Sequence, residues 1–279
     1  MPELPEVETV VTSIRRSKIF NKKILRAEIH FAKLIDGPLK KRFHKEVVGF
    51  SITSCKRRGK HIILSLSSDK DLIIHLRMTG KVLIEDKDIP AHKHLRAAFT
   101  FAGDDREFRY VDVRKFGRFY LVDSAEEFLK ELGFEPLDKK VSAHDFAKLL
   151  KNHSRKIKAL LLDQHFIAGV GNIYADEALF EAKIHPERNS STLTQKEAEA
   201  LLKAIRKVLT SAIERGGSSL GEGLGNFQDA YGSAGKNQHE FQVYRRTKLP
   251  CVRCGTPIKR IVVSQRSTHF CPNCQQKEK

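Results

Sequence analysis

His61-Ile62-Ile63-Leu64-Ser65-Leu66 and Leu72-Ile73-Ile74-His75-Leu76 are two short runs rich in β-branched residues and leucine, split by the turn signal Ser67-Ser68-Asp69. Apolar runs of this length, bounded by turn residues, read as neighbouring strands rather than a helix. The pattern repeats at Ala97–Phe101 and Phe119–Val122, with further turn signals at Thr79-Gly80 and Gly103-Asp104-Asp105. From about Ile24 to Val122 the chain therefore reads as an antiparallel sandwich or barrel.

Upstream of these strands, Val7, Val10, Val11 and Ile14 recur at helical spacing. Pro5 suits the first helical position, where a missing N–H costs nothing. Glu6 and Glu8 at the start, with Arg15, Arg16 and Lys18 near the end, suit the helix dipole. Such a helix would bury its apolar stripe and hold Pro2 and Glu3 at its start. Methionine before a small residue is ordinarily trimmed, which would make the Pro2 nitrogen a secondary amine. An α-amine titrates near pH ~8, so a fraction is unprotonated and nucleophilic at neutral pH. An amine beside Glu3 and Glu6 is equipped for imine chemistry at a sugar or carbonyl carbon. Taken alone, the same segment also reads as an acidic, disordered N-terminus.

Downstream the pattern turns helical. A helix is expected over Ala125–Leu132, followed by turn residues Gly133 and Pro136 and a domain boundary near Pro136–Val141. Ala143–Lys151, Lys156–Leu162 and Ile173–Ala182 are further helices. Thr194 and Glu197 form a capping-box pattern before Leu201, Leu202, Ile205, Val208, Leu209, Ala212 and Ile213, and Gly216 ends that helix. Gly216–Gly235 has no helix or strand pattern and reads as a long mobile or functional loop.

With 279 residues the chain can hold two domains, each with its own core. Lys+Arg 51 against Asp+Glu 34 gives a net charge of +17, which points to a polyanionic partner, nucleic acid first and an anionic membrane surface second. No apolar run approaches the ~18 residues of a membrane span, and the start lacks the apolar core of a signal peptide, so a cytosolic protein is expected. Basic clusters at Lys40-Lys41-Arg42, at Lys56-Arg57-Arg58 with Lys60, and at Arg155-Lys156 with Lys158 suit a phosphate-binding surface. Gly169-Val170-Gly171-Asn172 opens a helix whose N–H groups could hold a phosphate, although Asn172 could equally be its cap. Of the five cysteines, Cys251, Cys254, Cys271 and Cys274 form two CxxC pairs spaced for one tetrahedral zinc ion in a β-hairpin. Ile258–Val263 and Thr268–Cys271 would be its strands and Ser264-Gln265-Arg266-Ser267 its tip. Cys55 is left as a half-buried strand residue.

Six segments in order resemble the formamidopyrimidine-DNA glycosylase family: PELPEVE (Pro2–Glu8), RRGKHI (Arg57–Ile62), HLRMTG (His75–Gly80), DVRKFG (Asp112–Gly117), GVGNIYADEALF (Gly169–Phe180) and RSTHFCPNCQ (Arg266–Gln275). The resemblance implies a monomeric bifunctional glycosylase and abasic-site lyase, cytoplasmic and nucleoid-associated, that excises 8-oxoguanine and formamidopyrimidines. Its partner would be double-stranded DNA containing damaged bases or abasic sites, with no membrane partner. By residue matching, Pro2 would be the nucleophile, Glu3 the acid at the sugar ring oxygen, Glu6 a supporting carboxylate, and Lys60 a contact to lesion and phosphate. Met78, Arg114 and Phe116 would fill the gap left by a flipped base. His75, Asn172, Tyr244 and Arg266 would clamp phosphates, Arg266 being counted with the catalytic set.

The implied architecture is α+β. An N-terminal antiparallel β-sandwich with flanking helices (residues 1–136) precedes a C-terminal helical, helix-two-turn-helix domain (137–240) and a β-hairpin zinc finger (241–279) with one structural zinc. Two positions depart from the family pattern. Gln265 stands where glycine is usual before the finger arginine, and the loop after Gly216-Gly217-Ser218-Ser219 continues Leu220-Gly221-Glu222-Gly223-Leu224-Gly225 without the usual basic or aromatic residue. Two other readings remain open here: an enzyme directed to oxidised pyrimidines, as in the endonuclease VIII branch, and a non-catalytic zinc-finger DNA-binding protein.

Overall fold

The structure is a computed structural model describing residues 1–221 and 226–277; the Glu222–Gly225 part of the loop read above lies outside the described residues. The chain divides into two compact units, Met1–Glu131 with Arg215–Lys236, and Leu132–Glu214 with Asn237–Lys279.

The first unit opens with α1 (Leu4–Arg16), then β1 (Ile24–Ile29), β2 (Ile35–Asp36), α2 (Phe43–Val47), β3 (Ile52–Arg58), β4 (His61–Leu66), β5 (Asp71–His75), β6 (Gly80–Asp86), β7 (Leu95–Phe101), β8 (Arg106–Asp112), β9 (Arg118–Val122) and α3 (Ala125–Phe128). Two sheets form, ordered β1-β7-β8-β6 and β2-β9-β5-β4-β3. The expected antiparallel pairing holds except at β2, which pairs parallel to β9 through Ile35↔Phe119 and Asp36↔Tyr120. These two strands are far apart in sequence, so no hairpin sets their direction. The helix α3 is shorter than predicted, because Leu129 leaves helical angles at φ −105.

Burial alternates along β4, with Ile62, Leu64 and Leu66 inward. The other sheet supplies Phe99, Phe101, Phe108 and Tyr110 to the same core, and the Phe99 and Phe119 rings meet edge-on at 6.4 Å. The predicted stripe Val7, Val10, Val11 and Ile14 is at most 1% exposed. Burying each such side chain stabilises by about 1.5–3 kcal/mol, which is what fixes the start of the chain in place. Cys55, expected half-buried, is in the core at 4% exposure.

Arg215–Lys236, read from sequence as following the second domain's long helix, packs with the first unit. Ala230 accepts from the Ile84 N–H at 2.7 Å and donates its own N–H to Ser13 Oγ at 3.0 Å. The Lys81 ammonium meets Gln228 Oε1 at 2.9 Å. The segment therefore covers part of β6, the edge of its sheet.

The second unit holds α4 (Ala143–Lys151), α5 (Ile157–Leu161), α6 (Asn172–Glu181) and α7 (Gln195–Glu214), then the hairpin β10 (Lys259–Val263) and β11 (Arg266–Phe270). The Thr194–Glu197 capping box is formed, with Thr194 N–H to Glu197 at 2.9 Å and Glu197 N–H to Thr194 Oγ1 at 3.2 Å. At the hairpin the tip is the two-residue turn Ser264-Gln265, both left-handed (φ 49 and 59). Arg266 is the first strand residue, paired with Val263. Turns of this hand suit the strand twist, so Gln265 takes the conformation that glycine would adopt without strain.

In the first unit, His61 and His75 sit opposite each other on β4 and β5, rings edge to face at 4.6 Å. Burial pushes His61 down to about 4, and burial followed by the charge of His61 pushes His75 down to about 2. Both rings are thus neutral in the folded chain at neutral pH, whereas the unfolded chain takes up these protons near pH ~6.5. Their contribution to stability is complete above about pH 6.5 and is lost as the pH falls towards the folded values. Denaturant titrations at pH 7.5 and 4.5 should show wild type losing about 2 kcal/mol more over that interval than His61→Gln. Equal losses would refute the assignment.

Candidate active site and nucleic-acid interface

The start of α1 is held by its own carboxylates. Glu3 and Glu6 are 3% and 2% exposed, and Pro2 is buried behind an exposed Met1. Glu6 accepts the Glu3 N–H at 2.8 Å on Oε2 and the Ser218 N–H at 2.7 Å on Oε1. Gly217 (φ +75) runs so close to Glu6 that a Cβ would lie 3.0 Å from its Cγ and Oε1. Both the backbone angle and the space therefore favour glycine there.

Two contacts give α1 its direction on the sheet. Arg57 Nε donates to Glu8 at 2.7 Å, and Arg15 Nε donates to the Cys55 carbonyl at 2.8 Å. Helix and strand run in opposite senses, so the start of α1 lies towards the turn that joins β3 to β4. That turn is Gly59-Lys60, with Gly59 left-handed at φ 55 and Lys60 6% exposed. The structure thus places Pro2, Glu3, Glu6 and Lys60 at one end of the sheet, and Lys60 is not the surface lysine that composition alone would suggest.

Met78 and Phe116, apolar enough to read as core residues, are 41% and 46% exposed. Arg114 lies with them: its Nη1 is 2.9 Å from Met78 Sδ, and its guanidinium sits over the Phe116 ring, 4.5 Å from the centroid. An exposed thioether and ring flanking a cation can enter a base stack while the arginine bonds a base edge. His75, at the end of β5, accepts the Arg77 N–H on Nδ1 at 3.0 Å. In the neutral ring this leaves the hydrogen on Nε2, a donor suited to a phosphate oxygen.

The second unit gathers the remaining expected contacts around the hairpin. Asn172 does not cap α6, whose cap residue is Gly171; its Nδ2 donates to the Ser267 carbonyl at 3.0 Å. Lys158, one of the basic residues read as a phosphate surface, is fully buried. It pairs with Asp176 at 2.6 Å and also donates to the Ser267 carbonyl at 2.9 Å and Thr268 Oγ1 at 2.8 Å. Asp176 in turn accepts the His269 N–H at 2.9 Å. Arg266 is exposed beside these anchors. Tyr244 packs edge-on against His269 at 5.2 Å, and its N–H donates to Glu177 at 2.8 Å.

Glu177 also accepts the N–H groups of Gln242 (2.9 Å) and Val243 (3.0 Å), while burial pushes its carboxyl above the usual carboxylate range. Lys158 reads from sequence as a surface phosphate contact and is instead a buried anchor. Asp176 and Glu177 were not singled out as site residues, and their one signal was a charged pair in the middle of a largely apolar helix.

The thiols of Cys251, Cys254, Cys271 and Cys274 lie within 4.8 Å of one another, with 3.5 Å between Cys254 and Cys271 and 3.9 Å between Cys251 and Cys274. Zinc–sulfur bonds of ~2.3 Å in a tetrahedron give sulfur–sulfur edges of about 3.8 Å, so the four fit one ion with no open position. Hydrogen bonds from Thr256 and Asn273 hold the Cys254 thiol down to about 5, whereas burial and the neighbouring thiols push Cys274 up to about 12. Four thiolates cannot share this space without a cation among them. The site is a structural zinc centre.

Three family models match successive parts of the chain: the formamidopyrimidine-DNA glycosylase N-terminal domain over residues 1–119, the formamidopyrimidine-DNA glycosylase H2TH domain over 132–222, and the zinc finger found in FPG and IleRS over 248–277. A formamidopyrimidine-DNA glycosylase of Protochlamydia amoebophila is 43% identical over 99% of this chain and 100% of its own length. Among solved structures, a Lactococcus lactis Fpg mutant in complex with DNA containing Fapy-dG is 40% identical with a TM-score of 0.90, covering 99% of this chain and 100% of that one. The Lactococcus lactis Fpg with DNA containing an abasic site has a TM-score of 0.89 at the same identity and coverage. Identity of this order along the whole length, together with the same fold, settles the matter: the chain belongs to the formamidopyrimidine-DNA glycosylase family.

Proposed function

We propose that the chain is a bifunctional DNA glycosylase and abasic-site lyase of base excision repair, acting on oxidised purines in duplex DNA from the cytosol and nucleoid. The observation that carries this reading is the buried corner at the start of α1. There a proline nitrogen, two carboxylates and a buried lysine lie at one end of the sheet.

Once Met1 is removed, the Pro2 amine attacks C1′ of the damaged nucleotide and the base leaves with a proton as the glycosidic bond breaks. Glu3 protonates the ring oxygen as the sugar opens, giving an iminium between Pro2 and C1′. The iminium acidifies the C2′ hydrogen, so loss of that proton expels the 3′ phosphate, and a second elimination expels the 5′ phosphate. Glu6, with an N–H group on each oxygen, suits positioning rather than proton transfer. Lys60 supplies a fixed cation for lesion and phosphate.

A base within a duplex cannot reach this corner without leaving the stack, at a cost of a few kcal/mol. Met78, Arg114 and Phe116 form the wedge that would replace it. His75 in the first unit, and Asn172, Tyr244 and Arg266 in the second, are the proposed phosphate contacts. Zinc, when bound, supplies a cross-link rather than a Lewis acid, and what it holds is the hairpin bearing Arg266. No helix among the described residues is long and apolar enough to cross a membrane.

Borohydride trapping on abasic or 8-oxoguanine duplexes should give a covalent adduct with wild type and lose it in Pro2→Gly, while Glu3→Gln lowers base release by about 10²–10⁴-fold. A Pro2→Gly protein that crosslinks as fast as wild type would sink the mechanism. Release of 8-oxoguanine should exceed that of thymine glycol from matched duplexes. Stripping the metal under reducing conditions should weaken duplex binding about tenfold, the worth of one charge-assisted phosphate contact. Hydrogen exchange should then quicken in β10 and β11 but not in β4 and β5. Undiminished affinity after complete metal loss would contradict the role given to the hairpin.

A further inference from the structure

Asp112 ends β8 at 1% exposure, beneath the exposed trio, and the chemistry above gives it no task. Its main chain is fixed on both sides, the N–H to the His94 carbonyl at 3.0 Å and the carbonyl from Arg96 Nε at 2.9 Å. Its carboxylate then collects donors from two loops. Oδ1 accepts the Thr79 hydroxyl at 2.5 Å and the Arg114 N–H at 3.1 Å, and Oδ2 accepts the Gly117 N–H at 2.8 Å. Thr79 follows Met78, and Gly117 follows Phe116, so this one side chain ties together the loops that carry all three wedge residues.

Both loops need tying. Each contains a non-glycine residue in the left-handed region, Arg77 at φ 53 and Lys115 at φ 58, a conformation that side chains with a Cβ adopt only under strain. Each loop also lies directly on Tyr110. A Cβ at Gly80 or Gly117 would meet the tyrosine hydroxyl at 2.2 or 1.6 Å. Strained loops pressed onto a buried ring would relax outward unless something drew them down, and the carboxylate is the group that does so. An amide could not replace it, because asparagine would turn an NH₂ towards one of these donors.

We propose that Asp112 is a positioning residue that assembles the Met78–Arg114–Phe116 wedge before DNA arrives. Through the Arg114 N–H it also sets how strictly the base opposite the lesion is read. This rests on the reading of the chain as a base-extruding glycosylase. The wedge then meets the duplex at its working geometry, and no ordering cost falls on the extrusion step.

The test compares Asp112→Asn with wild type in three assays. Single-turnover release of 8-oxoguanine opposite cytosine should fall about tenfold or more, since a bidentate arginine contact and the wedge are both loosened. The ratio of release opposite cytosine to release opposite adenine should collapse towards one. Borohydride trapping on a single-stranded abasic oligonucleotide needs neither unstacking nor an opposite base, and should fall less than about threefold. A 2-aminopurine beside the lesion should report slower wedge entry in the same variant. Thr79→Val keeps the shape but removes the hydroxyl that donates to Asp112 and accepts the Arg114 N–H at 3.1 Å, so it should move the same readouts in the same direction if Asp112→Asn folds poorly. An unchanged opposite-base ratio overturns the proposal, as does a uniform loss that includes single-strand trapping. A wild-type protein that neither releases base nor traps would instead overturn the functional reading.

Discussion

A carboxylate taken out of water must find hydrogen-bond donors, because an unpaired buried charge costs several kcal/mol. In this chain that requirement shapes the site. Glu6 collects the Glu3 and Ser218 N–H groups, Asp112 those of Arg114 and Gly117, Glu177 those of Gln242, Val243 and Tyr244, and Asp176 that of His269. Each acid therefore fixes a stretch of main chain, and each stretch carries or adjoins a residue proposed to touch DNA or the lesion. The bonds are charge-assisted and roughly twice as strong as neutral ones.

The consequence is a division of labour between buried and exposed groups. Met78, Phe116 and Arg266, proposed to touch DNA, are exposed, so packing does not hold them on all sides. Rigidity has to come from underneath. Main-chain anchoring fixes a Cα and leaves the side chain its reach, which suits a surface that must enter a base stack and still present defined donors.

Much of the fold was legible because it rests on periodicity. The strands around His61–Leu76, the apolar stripe of α1 and the capped helix after Thr194 all follow from which residues recur at what spacing. The CxxC pairs were legible because thiolate spacing is dictated by the ion. The anchors were not, since a bond such as Glu177 to Val243 joins a side chain to an anonymous N–H that any residue but proline could supply. Met78 and Phe116 stood out only through the family resemblance, for the opposite reason: an apolar side chain by itself signals burial, and only the loops above Tyr110 turn these two outward. The placement of Arg215–Lys236 with the first unit depends on Ala230 bonding to Ile84 and Ser13, again main-chain and hydroxyl contacts without a sequence signature.

The hairpin bearing Arg266 shows why one anchor would not suffice. A two-stranded hairpin is marginal on its own, and the four cysteines secure only its base. At the other end, Ser264 and Gln265 both hold left-handed angles without being glycine, so the turn itself stores strain. What steadies that end is the Ser267 carbonyl, whose two lone pairs accept Lys158 Nζ and Asn172 Nδ2. Lys158 can be buried there only because Asp176 lies 2.6 Å away, and breaking such a pair typically costs about 3–5 kcal/mol. The metal fixes where the hairpin begins and the ion pair fixes where it ends. Arg266 lies one residue from the second of these fixed points, its main chain held and its guanidinium left in the open.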